Sequence, residues 1–470
     1  MFNIKLHDND YKGSNLADVS DFDFAKLNEP ERTKVREALD SINNLSLKEL
    51  ENKGVIVFPT SAVEKELDAS KKEILSVQNL MTEPTIKTGN IMGFFSIGND
   101  IQIQIWSRFD KDDKQFFLHY MLSKVCNVAP TITQTDANHD PLYEFCVYLF
   151  PTFLKKAVTQ GLFRTYITRE YNDSNIRGVI DFPRHFRNNI PFNGKIAYRT
   201  REYSHDNFTM QLVRHTIEFI SENSSLRKLL SIDEDMRNAV QNIRGCTESY
   251  SKSARTFVIN KNLKPITHPY YTEYEPLRRL CLMILTHKRI SYGQTKEHQI
   301  NGIIFDGASL WEEYLWKLLK PYDFRHPQNR DRSGGIRMFD NSKKDNVSED
   351  PELIFDNFDK NYRKIYPDFY KGNSWILDAK YKKLDGGKVQ REDLYQIVTY
   401  MHTMNIKNGG FIYPADSLTD SNSKLWTLAG LAGTIHICGM KIPTNKEKFD
   451  DFCKDMETQE NQLLKLVTTN

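Results

Sequence analysis

The spacing of apolar and polar residues changes period along this chain, and the predicted elements change with it. From Ile91 to Trp106 the text IMGFFSIGNDIQIQIW alternates around Gly98 to Asp100, with Ile101, Ile103 and Ile105 on one face, which predicts a β-hairpin. Gln115 to Val125 and Leu142 to Gln160 carry apolar residues at helical spacing instead. Gly161 is placed to cap the second helix and Pro151 to kink it. Helical periodicity resumes from Asn207 to Ser221 and from Leu277 to Thr286, whereas Gln328 to Glu352 is polar and predicts a loop inside the last domain. No repeat and no Pro- or Gly-rich linker divides the chain. The pattern predicts an α+β multidomain protein: a β-rich N-terminal region over 1–130, a mixed, largely helical middle region over 131–295, and a C-terminal α/β domain over 296–470.

Composition narrows the class. At roughly 150 residues per domain, 470 residues predict about three domains. Hydrophobic residues at 39%, charged residues at 27% and a mean hydropathy of −0.58 exclude an integral membrane protein and wholesale disorder. The most apolar run, Leu280 to Leu285, is far below the ~20 residues that cross a bilayer. With 64 Lys+Arg against 62 Asp+Glu, bulk charge gives no reason to expect nucleic-acid binding, so any such site must be local. The six cysteines form no C-x-x-C pair and no histidine lies at zinc-ligand spacing from two of them. Met1 to Asn15 lacks the apolar core of a secretion signal, and together these features predict reduced thiols and a cytoplasmic protein.

One segment is locally one-signed. Arg184 to Arg201 holds Arg184, Arg187, Lys195, Arg199 and Arg201 and no carboxylate. It is a solvated basic surface or a contact for a phosphate backbone or an acidic partner.

The chemistry concentrates between Asn361 and Tyr381, where two β-prone runs flank a turn at Lys371 to Ser374. Strand alternation puts Ile376, Asp378 and Lys380 on one face and Trp375, Leu377, Ala379 and Tyr381 on the other. Asp368 precedes the turn on the paired strand, which can bring its carboxylate beside Asp378 across the ladder. Clustered carboxylates repel unless a cation lies between them, so a divalent metal is expected, Mg²⁺ by its preference for hard oxygens. The carbonyl of Ala379 is a further candidate ligand, and Lys380 can orient an attacking water or stabilise the pentavalent phosphorus of a phosphodiester. Upstream, Leu310 to Lys320 predicts an amphipathic helix with Glu312 on the face of Leu315, Trp316 and Leu319, placed to supply a metal ligand or a hydrogen bond to one. Downstream, Gln396 and Tyr400 share one face of a helix predicted over Glu392 to Met404.

The order of a helix with Glu312, Pro367-Asp368, Asp378-Ala379-Lys380 and Gln396-x-x-x-Tyr400 resembles the PD-(D/E)xK nuclease superfamily, including the Q-x-x-x-Y element of its RecB-like branch. The middle of the chain narrows this. Gly161-Leu-Phe-Arg164, Arg177-Gly-Val-Ile-Asp181-Phe182, Asn189-Ile-Pro191 to Lys195 and Tyr203-Ser-x-Asp206-Asn207 resemble the text of the McrC family, as does Phe117 to Lys124 after the hairpin. The resemblance runs from about Asn90 to Tyr413. It implies a restriction-endonuclease-like C-terminal domain and an N-terminal domain that meets a partner. It also implies Asp368, Asp378, Lys380, Gln396 and Tyr400 as catalytic residues, and Mg²⁺, with Mn²⁺ as a substitute, held by Glu312, Asp368, Asp378 and Ala379. The implied partners are a McrB-like AAA+ GTPase oligomer, stimulated by this subunit, and double-stranded DNA, with homodimerisation for double-strand cutting and no membrane.

The chain lacks G-x-x-x-x-G-K-[ST], and Gly386-Gly387-Lys388 has neither the first spacing nor the following hydroxyl, so no nucleotide is expected on this chain itself. Two other readings share part of this text: a non-cleaving assembly scaffold and GTPase activator, and a stand-alone RecB-like repair nuclease. Intact Asp368, Asp378 and Lys380 favour the enzyme over the scaffold, and the Arg177 to Asn207 text favours the restriction subunit over the stand-alone nuclease.

Overall fold

The computed structural model of the chain describes residues 2–59, 74–98, 101–110, 114–127, 141–223, 226–286, 300–327, 334–338, 364–383, 389–416, 423–430 and 433–468. Asn99, Asp100, most of Gln328 to Glu352 and Gly386 to Lys388 lie outside them. The chain forms two compact units, one built from residues 1–132 together with 296–470, the other from 133–295. All six cysteines are free thiols, and among the described residues no helix is long and apolar enough to cross a membrane.

The first unit begins with β1 (Phe2–His7), β2 (Val55–Phe58) and the expected hairpin β3 (Ile91–Ile97) and β4 (Ile101–Trp106), followed by helix α1 (Phe116–Val125). Ile101, Ile103 and Ile105 are fully buried in one cluster with Ile4, Val55 and Phe95. Asp8, just past β1, is buried with them: it accepts the N–H of Arg108 and lies 3.9 Å from that guanidinium, which itself donates to the Tyr381 carbonyl and to Asn90 Oδ1 at 3.2 Å. Burial outweighs Arg108 and raises the Asp8 pKa from 3.8 to about 6. The folded state therefore keeps a proton that the unfolded chain has released, and this contribution to stability is complete below about pH 4 and is lost as pH climbs through about 6. Asp8→Asn is expected to flatten the fall of the thermal midpoint between pH 4 and 7; an unchanged slope would remove Asp8 from that role.

The second unit, described by itself, packs helices α2 (Pro141–Thr159), α4 (Phe208–Glu222), α5 (Glu234–Cys246) and α6 (Tyr274–Thr286) beside a small sheet. That sheet has the order β5 (Thr165–Asp173), β7 (Ile196–Ser204), β6 (Val179–Ile180), with a short helix α3 (Phe182–Asn188) between β6 and β7. Gly161 ends α2 with φ +90°, the left-handed geometry a C-terminal glycine supplies. Asn207 caps α4 by accepting the N–H groups of Thr209 and Met210, both at 3.1 Å.

The chain then returns to the first unit. Strand β8 (Ile300–Asp306) enters the N-terminal sheet between β3 and β2, antiparallel to β3 and parallel to β2, giving the order β1-β4-β3-β8-β2. Asp306 caps helix α7 (Gly307–Leu319), which starts three residues before the predicted Leu310. A second five-stranded sheet follows, with order β9 (Phe369–Lys371), β10 (Trp375–Ala379), β11 (Asn408–Ala415), β13 (Thr434–Lys441) and β12 (Ser423–Thr427). β10, β11 and β13 are parallel, and helix α8 (Arg391–Met404) connects the first two. Ile376, Phe411 and Ile435 on the sheet pack against Ile397, Tyr400 and Met401 of α8. Helix α9 (Phe449–Thr468) closes the chain and packs on α1 and β13.

Candidate active site

The predicted hairpin forms, with Phe369 opposite Leu377 and Lys371 opposite Trp375. Continuing that register one step past the end of β9 puts Asp368 opposite Asp378, as expected, at the C-terminal end of β10. In open α/β sheets that is where ligand sites gather. Asp368 Oδ2 accepts the backbone N–H of Ala379 at 2.7 Å, which fixes its carboxylate across the ladder. Asp378 is 3% exposed, and its face of the strand is the one that α8 covers.

Four carboxylates, Asp368, Asp378, Glu312 and Asp393, interact here. Burial, and then the charges of Asp378 and Glu312, hold the Asp368 carboxyl well above the usual carboxylate range. Burial also raises Asp378; Lys380 works against it, while Asp393 and Glu312 add to it. Glu312 stands on α7, which packs against β10, and its Oε1 lies 3.6 Å from His326 Nε2. The other nitrogen of that ring, Nδ1, is 2.6 Å from the carbonyl of Asp368. A carbonyl only accepts, so Nδ1 carries the proton and Nε2 faces Glu312. The ring is held between Trp316 and Phe369, with centroids at 5.4 and 5.2 Å.

Lys380 is the cation of the site. Its Nζ lies 2.7 Å from Asp378 Oδ2, 3.2 Å from Asp393 Oδ1 and 3.5 Å from Gln396 Oε1. Burial alone would lower its pKa, but Asp378 and Asp393 outweigh burial and raise it, so the side chain stays an ammonium. Gln396 in turn donates to Tyr400 OH at 2.9 Å. Asp393 also binds Lys382, and these two lysines hold its carboxyl below the usual range against the effect of burial.

Every catalytic and metal residue expected from the sequence thus belongs to one constellation: Glu312, Asp368, Asp378, Ala379, Lys380, Gln396 and Tyr400. Asp393 and His326 belong to it too and were not anticipated. Asp393 precedes Gln396 by three residues and Tyr400 by seven, so helical spacing alone could have placed it on their face. His326 has no such signal, because it reaches the site through a single bridge between Arg325 and Tyr370.

The basic segment lies in the other unit and is less one-signed in space than in sequence. Arg199 stands directly opposite Glu170 of β5, its Nε 3.3 Å from that carboxylate, and its Nη2 is 2.7 Å from Asp181. Arg184 lies 3.0 Å from Glu170. Both acids sit outside the segment, so antiparallel pairing and the cap of α3 neutralise two of its five cations. Arg187, Lys195 and Arg201 are exposed; Arg201 stacks on Tyr166 at 4.6 Å.

A protein-family model described as McrBC 5-methylcytosine restriction system component matches residues 86–414, well over half of the sequence. The chain belongs to this family. Among solved structures, it is similar to a half-complex from the tetradecameric assembly of Thermococcus gammatolerans McrB AAA+ hexamers with bound McrC, at 15% identity and TM-score 0.46 over 98% of this chain and 100% of that one. It is also similar to the cryo-EM structure of the Thermococcus gammatolerans McrBC complex, at 15% identity and TM-score 0.30 over 68% and 87% of the two chains. No curated protein sequence matches.

Proposed function

We propose that this family member is the DNA-cutting subunit of a McrBC-type restriction complex, a Mg²⁺-dependent endodeoxyribonuclease of PD-(D/E)xK fold acting with a separate AAA+ GTPase in the cytoplasm. The observation that carries the reading is the convergence of Asp368, Asp378 and Lys380 at the end of β10, with Glu312 beside them.

Among the described residues, no group of three His, Cys, Asp or Glu side chains is gathered tightly enough to cage an ion. Mg²⁺ does not require such a cage, since it keeps several waters and uses one or two carboxylates with the substrate phosphate. The donor set fits it: Asp368 and Asp378 offer hard oxygens, and burial first, then neighbouring carboxylates, raise both pKa values, so a bound cation would favour their ionised form. Glu312 and the Ala379 carbonyl are the additional oxygens. When bound, the ion would supply Lewis-acid stabilisation of the phosphate and a more acidic attacking water.

This chain's own residues do the rest. Lys380, fixed as an ammonium, is no general base; it places positive charge where the phosphate oxygens become more negative. Asp393 and Gln396 hold its Nζ, and Tyr400 holds Gln396. A scaffold with no chemistry would have no use for two adjoining buried carboxylates, each of which costs stability unless a cation compensates it.

In the second unit, Phe182, Phe186, Ile190 and Phe192, within or beside the basic segment in sequence, are exposed, and the rings of Phe182 and Phe186 lie 6.2 Å apart. Large apolar side chains left exposed near the segment favour a contact with the GTPase or DNA over a merely solvated basic face.

The ion can be tested without catalysis. Titrated with MnCl₂ and followed by electron paramagnetic resonance of free Mn²⁺, the wild-type chain is expected to remove Mn²⁺ from solution. The Asp368→Asn/Asp378→Asn chain is expected to remove at least tenfold less. Equal uptake by both would place any metal elsewhere.

A further inference from the structure

The small sheet of the second unit has one open edge. β5 pairs with β7 along its whole length, from Thr165 opposite Ser204 to Asp173 opposite Ile196. Among the described residues no strand pairs with its other side. A cleft of about 1070 Å³ lies there, and five consecutive residues of β5, Thr165 to Arg169, line it. Side chains on a strand alternate between faces, so a cavity above one face would be lined by every second residue. Five in a row mean that the edge of the strand faces the cleft.

Another part of the lining, Lys264 to Pro269, forms no strand pair or bridge with that edge. Pro265 and Pro269 have no N–H to give, and the N–H of Ile266 is donated to Glu275 at 2.8 Å. An uncovered edge of this kind is a template for another extended chain. The five residues of β5 span roughly 17 Å at about 3.3 Å per residue.

Charge selects the occupant. Lys261 and Lys264 are exposed on the cleft and make no ion pair among the described residues; Lys261 lies over the rings of Phe208 and Phe257 at 5.9 and 5.4 Å. Among the described residues the one carboxylate lining the cleft, Asp206, accepts from the N–H and hydroxyl of Ser249 at 3.0 and 2.9 Å and faces Arg169 at 3.8 Å. Its charge is therefore largely spent within the wall.

We propose that this cleft binds an extended, acidic segment of a partner protein, which adds as a further strand to the edge of β5 with its carboxylates toward Lys261 and Lys264. Backbone hydrogen bonds give such strand addition its affinity and alternate side chains its specificity. None of these residues belongs to the candidate active site, so the inference stands apart from the nuclease reading.

The test pans a phage-displayed library of seven-residue peptides on the full chain, then measures the selected peptide by fluorescence anisotropy and amide hydrogen exchange. Acidic, β-branched sequences are expected, with exchange slowed at Thr165 to Arg169. N-methylation of alternate peptide amides, in the register that meets the β5 edge, is expected to weaken binding at least tenfold, and so is the Lys261→Glu/Lys264→Glu variant at an unchanged thermal midpoint. Failure to enrich any peptide, selection of basic peptides, protection elsewhere, or indifference to N-methylation would overturn the proposal. So would displacement of the peptide by an oligothymidylate that binds the same cleft more tightly, since that would make the edge a nucleic-acid site.

Discussion

Asp378→Asn is expected to reduce DNA cleavage, assayed with the GTPase partner and GTP, by at least about a thousandfold, because metal stabilisation of the transition-state charge is worth several kcal/mol. The substitution is nearly isosteric and removes one of two adjoining buried carboxylates, so it relieves the repulsion that adds to burial in raising Asp368. Lys380 keeps Asp393 at 3.2 Å and is not left as a lone buried cation. The thermal midpoint is therefore expected to hold or rise while cleavage disappears. That opposition separates a metal-binding carboxylate from a structural one, whose loss would lower both. Cleavage at the wild-type rate would end the nuclease reading; a collapse of the fold would show that the Asp378–Lys380 pair is structural.

The hairpin that carries this site could be read from the sequence because everything it needed was local. A Lys-Gly-Asn-Ser turn between β-prone runs sets the register, and the register alone carries Asp368 to Asp378. Helical spacing likewise placed Gln396 and Tyr400 together, since Ile397 and Met401 bury the adjacent stripe of α8. What escaped depended on distant partners. Strand β8 is a seven-residue run whose neighbours β3 and β2 lie more than 200 and more than 240 residues earlier, and nothing local ties it to the N-terminal sheet. The neutralised arginines escaped for a similar reason: Glu170 and Asp181 lie outside the acid-free segment, and only strand pairing sets Glu170 against Arg199. His326 required the geometry of three elements at once.

Glu460 shows the same limit in the core and carries the second large expected effect. The buried stripe of α9 runs Phe449, Phe452, Cys453, Met456, Glu460, Leu463, Leu464 and Val467, so helical spacing places this carboxylate among apolar residues, where an uncompensated charge is costly. Compensation comes from two other helices: Tyr120 of α1 and Tyr314 of α7 each donate to Oε1 at 2.7 Å, and Lys124 lies 3.1 Å from Oε2. Glu460→Ala strands two buried hydroxyls, each costing roughly 1–3 kcal/mol, while the part-exposed Lys124 adds little after solvent screening. A loss of about 2–5 kcal/mol is expected in chemical denaturation. Glu460→Gln keeps an acceptor for the tyrosines and gives up only the ion pair, for a loss of about 1 kcal/mol or less. Because α7 also carries Glu312, the variants separate two roles for this network. If it only holds the helices together, Mn²⁺ uptake by Glu460→Ala well below its melting temperature should equal that of the wild type. Weaker uptake in the folded variant would mean that the network also sets the position of Glu312, and an unchanged denaturation midpoint would mean that the stranded hydroxyls find other partners and the network holds nothing.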